Sequence, residues 1–83
     1  MICAGEFYEV RVPDAPNLSG TIDAEVIRKE GDKWRVRTLY VHREMLVEEW
    51  RLQTKLPAWI IQNKLEIYAD LVENAPERAA RWE

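Results

Sequence analysis

Thr21-Ile22-Asp23-Ala24-Glu25-Val26-Ile27-Arg28-Lys29-Glu30, then Gly31-Asp32, then Lys33-Trp34-Arg35-Val36-Arg37-Thr38-Leu39-Tyr40-Val41 decides the fold. Apolar residues take every second position at Ile22, Ala24 and Val26, and again at Trp34, Val36 and Tyr40. A period of two rich in β-branched and aromatic residues marks strands. Gly31-Asp32 marks the turn between them, because glycine reaches positive φ without a steric penalty. The stretch is therefore an antiparallel hairpin, with two possible registers. A loop of Gly31-Asp32 alone sets Ile22 against Val41 and Val26 against Arg37. A three-residue loop, Glu30 to Asp32, sets Val26 against Val36, Ile22 against Tyr40 and Glu25 against Arg37, with Arg28 stacked near Trp34. A slip of one residue turns every side chain to the other face. The second register keeps the apolar positions together and is the one expected.

Working outward, Tyr8, Val10 and Val12 alternate with Glu9 and Arg11, a first strand that Pro13 ends. Residues 13–20 are dense in turn formers and read as a loop. Met45 to Gln53 fits either a strand or a helix. Its glutamates and leucines favour helix, and its place in the order favours a closing strand, which is the reading taken. Thr54-Lys55-Leu56-Pro57 opens a helix, since proline suits a first turn, and the helix runs to about Asn74 before Pro76. Leu56, Ile60, Ile67 and Leu71 form one apolar stripe. Ile61, Leu65, Tyr68 and Val72 form a second beside it. Trp59 falls on the polar side with Gln62 and Glu66. Residues 77–83 can add a short final helix carrying Trp82.

Eighty-three residues make one domain, residues 1–83, with a net charge of −3. The 47% hydrophobic content supplies a core and leaves apolar surface to spare. An acidic balance disfavours a binder of nucleic-acid backbone. The single cysteine, Cys3, precludes an internal disulfide and suits a reducing cytoplasm. No run of about 18 apolar residues is present, so no membrane span is expected.

The fold expected is mainly β with a C-terminal helix: a small SH3-like barrel or bent antiparallel sheet over residues 6–53, capped by a helix over about 55–74. The runner-up is an α+β sandwich with Arg43 to Gln53 helical. Tyr8-Glu9-Val10-Arg11-Val12, Ala24-Glu25-Val26-Ile27, Lys33-Trp34-Arg35-Val36-Arg37, and Val47 with Arg51-Leu52 resemble the loose pattern of Tudor or Agenet domains across residues 6–56. The resemblance implies that Tyr8, Trp34, Tyr40 and Trp50 could line an aromatic cage for a methylated cation. In a chain of this composition these rings more often build the core.

No catalytic constellation is visible, and no enzyme is expected. His42 reads as an exposed strand-end residue, Cys3 as an unreactive thiol and Ser19 as a turn residue. One His and one Cys cannot build a zinc site within one chain, and no cofactor motif is present. A small enzyme with paired His42 side chains across a dimer is the weakest of the readings. Recognition features are stronger. Arg28, Trp34, Arg35 and Arg37 could hold nucleic acid by charge and stacking. The competing reading pairs the arginines with Asp23, Glu25 and Glu30. The helix points instead to protein binding, because a few strands can hardly cover both stripes; the competing reading packs both stripes on the barrel and the tail. Trp59, Ile61, Leu65, Tyr68, Val72 and Trp82 are the contact residues expected, toward a larger protein or a homo-oligomer. Small acidic chains of this kind are common among accessory proteins of phages and mobile elements, which is an analogy.

Overall fold

A computed structural model describes residues 1–12, 20–40 and 42–76. The expected loop over 13–19, the final helix over 77–83 with its Trp82, and Val41 lie outside the described residues. Five strands follow in order: β1 (Phe7–Arg11), β2 (Thr21–Glu30), β3 (Lys33–Thr38), β4 (Glu44–Glu48) and β5 (Leu52–Lys55). A 3-10 turn, Glu49–Arg51, joins β4 to β5, and α1 spans Ala58–Asn74. The strands form one open antiparallel sheet in the order β4-β3-β2-β1-β5.

The hairpin uses both of its possible registers. Glu30 pairs with Lys33 across Gly31-Asp32, so the loop has two residues, and Gly31 supplies its φ of 67°. Farther from the turn, Val26 pairs with Val36 and Glu25 with Arg37, as the three-residue loop requires. The irregularity between Val26 and Arg28 absorbs the difference: a bulge at Ile27 adds one residue to β2. It keeps Val26 and Val36 on one face while allowing the tighter turn. It also corrects two expectations. Lys29, not Arg28, lies opposite Trp34, with Nζ 5.7 Å from a ring centroid. Tyr40, expected opposite Ile22, lies past the end of β3 and stacks on Tyr68 with centroids 5.4 Å apart.

Residues 45–53 are neither one strand nor a helix. β4 ends at Glu48, the chain turns through Glu49–Arg51, and β5 returns to pair with β1. The helical runner-up for this stretch is therefore excluded. The helix also starts later than expected. Thr54 and Lys55 belong to β5, and Pro57 is the extended N-cap residue, with φ −72° and ψ 158°. Its carbonyl accepts from the Ile60 and Ile61 amides at 3.1 and 3.2 Å. The C-terminal boundary at Asn74 is as expected.

Each face of the sheet carries a core. Tyr8, Val10, Ile22, Ala24, Val26, Trp34, Val36, Val47 and Leu52 pack together on the first face with Val12. This is the period-two pattern of the sequence made physical. On the second face, Leu39, Leu56 and Ile61 form a smaller cluster with Phe7, Ile60 and Tyr68 around it. α1 therefore lies over the second face, and Ile61 is its buried residue. No helix among the described residues is long and apolar enough to cross a membrane.

Candidate functional site

The attachment of α1 brings a buried carboxylate together with two donors from the helix. Asp23 sits on β2 between Ile22 and Ala24, so its side chain points to the second face, beneath α1. Its side chain is 7% exposed. Lys64 Nζ donates to Asp23 Oδ2 at 2.8 Å, and Tyr68 Oη donates to the same oxygen. Lys64 and Tyr68 are four residues apart and so share one helix face. Burial, and then the Asp23 carboxylate, push the Tyr68 phenol well above its usual range. It stays protonated and can donate. A carboxylate taken out of water needs such partners. Asp23 was expected to pair with an arginine. Strand alternation turns it to the second face, where Lys64 and Tyr68 of α1 reach it instead.

The remaining charges on the sheet are largely paired at home. Glu30 meets Arg28 at 2.7 Å and Arg35 at 2.6 Å, and Glu25 meets Arg37 at 3.5 Å. The Arg35 guanidinium holds the Glu30 carboxyl below the usual carboxylate range. Glu48 meets Arg51 at 2.6 Å and Glu6 meets Lys55 at 2.6 Å, and both carboxyls are lowered for that reason first. Trp34 is buried in the first core and donates Nε1 to Glu49 Oε1 at 3.1 Å. The four residues read as a nucleic-acid contact are thus divided. Trp34 faces the core, while Arg28, Arg35 and Arg37 project from the other side beside carboxylates. Tyr8, Trp34, Tyr40 and Trp50 are divided too. Tyr8 and Trp34 are core, Tyr40 is stacked on Tyr68, and Trp50 is exposed with the Arg51 guanidinium 4.4 Å from its ring centroid. They do not surround a common opening. His42 is an exposed turn residue with φ 56°, and Cys3 is exposed.

The interaction residues expected on the helix are also split. Ile61 is buried and Tyr68 is half-buried, both held against the sheet. They are fold residues, and Ile61 is not available to a partner. Leu65 and Val72 remain 41% and 40% exposed on the adjoining flank. Ile67 is exposed on the opposite flank, and Trp59, 70% exposed, points away from the sheet. A shallow cavity of about 330 Å³ opens between the start of α1 and the β1–β5 pair, with Phe7, Leu56, Ile61 and Leu65 in its wall. In the sequence, Lys64 interrupts the apolar stripe between Ile60 and Ile67 and carries no motif of its own. A lysine on the packed face of a helix is itself a signal that the sheet below carries a carboxylate.

No protein-family model, curated protein or solved structure matches the chain.

Proposed function

We propose that this chain is a non-enzymatic protein-interaction module, an SH3-like β domain of the Tudor or Agenet kind with an added helix. It acts as an accessory or regulatory protein by binding another protein or itself. One observation carries this reading: α1 keeps Trp59, Leu65, Ile67 and Val72 exposed although the sheet beneath it is already packed. Leu65 and Val72 are neighbours on one flank, and contiguous exposed apolar side chains mark contact surfaces. The strand order β4-β3-β2-β1-β5, with a 3-10 turn between β4 and β5, is compatible with the SH3-like comparison. The alternative, nucleic-acid binding through Arg28, Trp34, Arg35 and Arg37, is disfavoured by the burial of Trp34 and by the carboxylates beside the arginines.

The test combines light scattering across concentration with affinity capture, on the wild-type chain and on Leu65→Asp/Val72→Asp. Both positions are exposed, so the fold should survive. Either a dimer or a captured protein that disappears in the double variant is expected. A monomer that captures the same proteins with and without the two substitutions would remove the reading. Salt-sensitive binding to RNA or DNA single strands, lost with Arg35→Ala and Arg37→Ala, would replace it with the alternative.

A further inference from the structure

We propose that α1 docks an amphipathic helix of a different protein, one with an apolar stripe and a basic edge. This names a partner class for the interaction reading above and rests on it. Ala58, Gln62, Leu65, Ala69 and Val72 recur at intervals of four and three along α1, and all are exposed. Such spacing keeps five residues on one stripe, the geometry by which one helix meets another. None of the five is charged. The two alanines permit close approach of a second helix axis. At its N-terminal end the stripe runs into the cavity of about 330 Å³ walled by Phe7, Leu56 and Ile61, with the Glu6–Lys55 ion pair at its rim. Stripe and cavity together offer a groove and a socket for one anchoring apolar side chain.

Charge selects the occupant. Glu25, Glu30, Glu44 and Glu48 of the sheet, and Glu6 just before β1, have cationic partners, while Glu9 meets the Thr21 hydroxyl. On α1, Glu66, Asp70 and Glu73 have none among the described residues. At about 100° per residue, Glu66 and Glu73 border the stripe on the side away from the sheet. Trp59 stands just beyond them. Lysines or arginines on the edge of a partner helix would meet two carboxylates and an exposed indole face. A second copy is the poorer fit. In a two-fold antiparallel pair of helices each flank meets its own copy, so the Glu66 and Glu73 flanks would oppose each other.

The test is fluorescence anisotropy on the full chain with three labelled synthetic peptides. The first is a helix-forming peptide of about 20 residues with leucines at helical spacing and lysines elsewhere. The second has glutamate for lysine, and the third is the lysine peptide scrambled to destroy the stripe. The lysine amphipathic peptide should bind at least about tenfold tighter than either control, the scale of one lost anchor contact. Leu65→Asp/Val72→Asp should abolish that preference with an unchanged circular dichroism spectrum. Glu66→Lys/Glu73→Lys should turn it toward the glutamate peptide. Equal binding of the scrambled peptide would reduce the effect to net charge and overturn the proposal, as would equal binding of the glutamate peptide. A dimer that Leu65→Asp/Val72→Asp dissolves, with no peptide bound, would give the surface to a second copy. That result overturns this proposal while leaving the interaction reading intact. A monomer that binds no peptide overturns the proposal as well.

Discussion

Asp23 is the residue on which the helix is hung. Its neighbours Ile22 and Ala24 serve the first core, and the strand period turns Asp23 alone toward α1. Two donors from the helix converge on one of its oxygens. Asp23→Ala would leave the Tyr68 hydroxyl and the Lys64 ammonium without that acceptor. Lys64 is about a third exposed and can rehydrate, whereas Tyr68 is held against Tyr40. The expected loss is about 1–3 kcal/mol of unfolding free energy, read from urea denaturation. A double-mutant cycle with Tyr68→Phe should return a coupling of about 1 kcal/mol. Additive effects of the two substitutions would mean that the hydroxyl and the carboxylate stabilise the fold independently.

At the scale of the element, the sheet and the helix are held by unequal means. β1, β2 and β3 share ladders and a common core in which Val10, Ala24 and Val36 are fully enclosed. α1 has one buried residue, Ile61, near its start, then the Asp23 contacts and the tyrosine stack. Elements with few buried contacts open first. Amides in the last two turns of α1, beyond Tyr68, should therefore exchange hydrogen faster than those of β2 and β3 by at least about tenfold. Mass spectrometry of exchange on peptic fragments would measure this. Equal protection across α1 and the sheet would show that the helix and sheet open together as one unit. The bulge at Ile27 works at the same scale. It allows a two-residue turn and a continuous apolar face to coexist in one hairpin.

For the whole molecule, paired surface carboxylates set the response to acid. Glu6, Glu30 and Glu48 are each lowered by a basic partner, Lys55, Arg35 and Arg51 respectively. A carboxyl whose folded pKa lies below its unfolded value adds stability above the unfolded pKa. That contribution is lost as pH falls through the folded value. Melting temperature should therefore hold steady from about pH 7 to about pH 5 and decline between about pH 4 and about pH 2. Molar salt at neutral pH should lower it slightly, since exposed pairs are screened. A flat profile down to about pH 2 would show that these pairs add nothing to the folded state.

β1, β2, β3, the turn at Gly31-Asp32 and the end of the helix near Asn74 were legible because they depend on local rules, whereas the split of residues 45–53 into β4, a 3-10 turn and β5 was not. Alternation, glycine conformation and proline placement act over a few residues. The two apolar stripes of the helix were legible for the same reason. Which stripe would be covered was not, because that depends on where α1 lands on the second face. The division between buried Ile61 and exposed Leu65 and Val72 comes from the packing of Ile61 on Leu39 and Leu56. The pairing of Glu25 with Arg37 was readable across the hairpin. The Asp23–Lys64 pair, separated by 41 positions, was not. By itself the sequence determined a mainly β chain with a C-terminal helix, since periodicity and turn chemistry are local. Only the tertiary structure decided that Asp23 anchors the helix and that one flank of α1 stays open. Those outcomes rest on contacts between segments far apart in the chain, which no local pattern encodes.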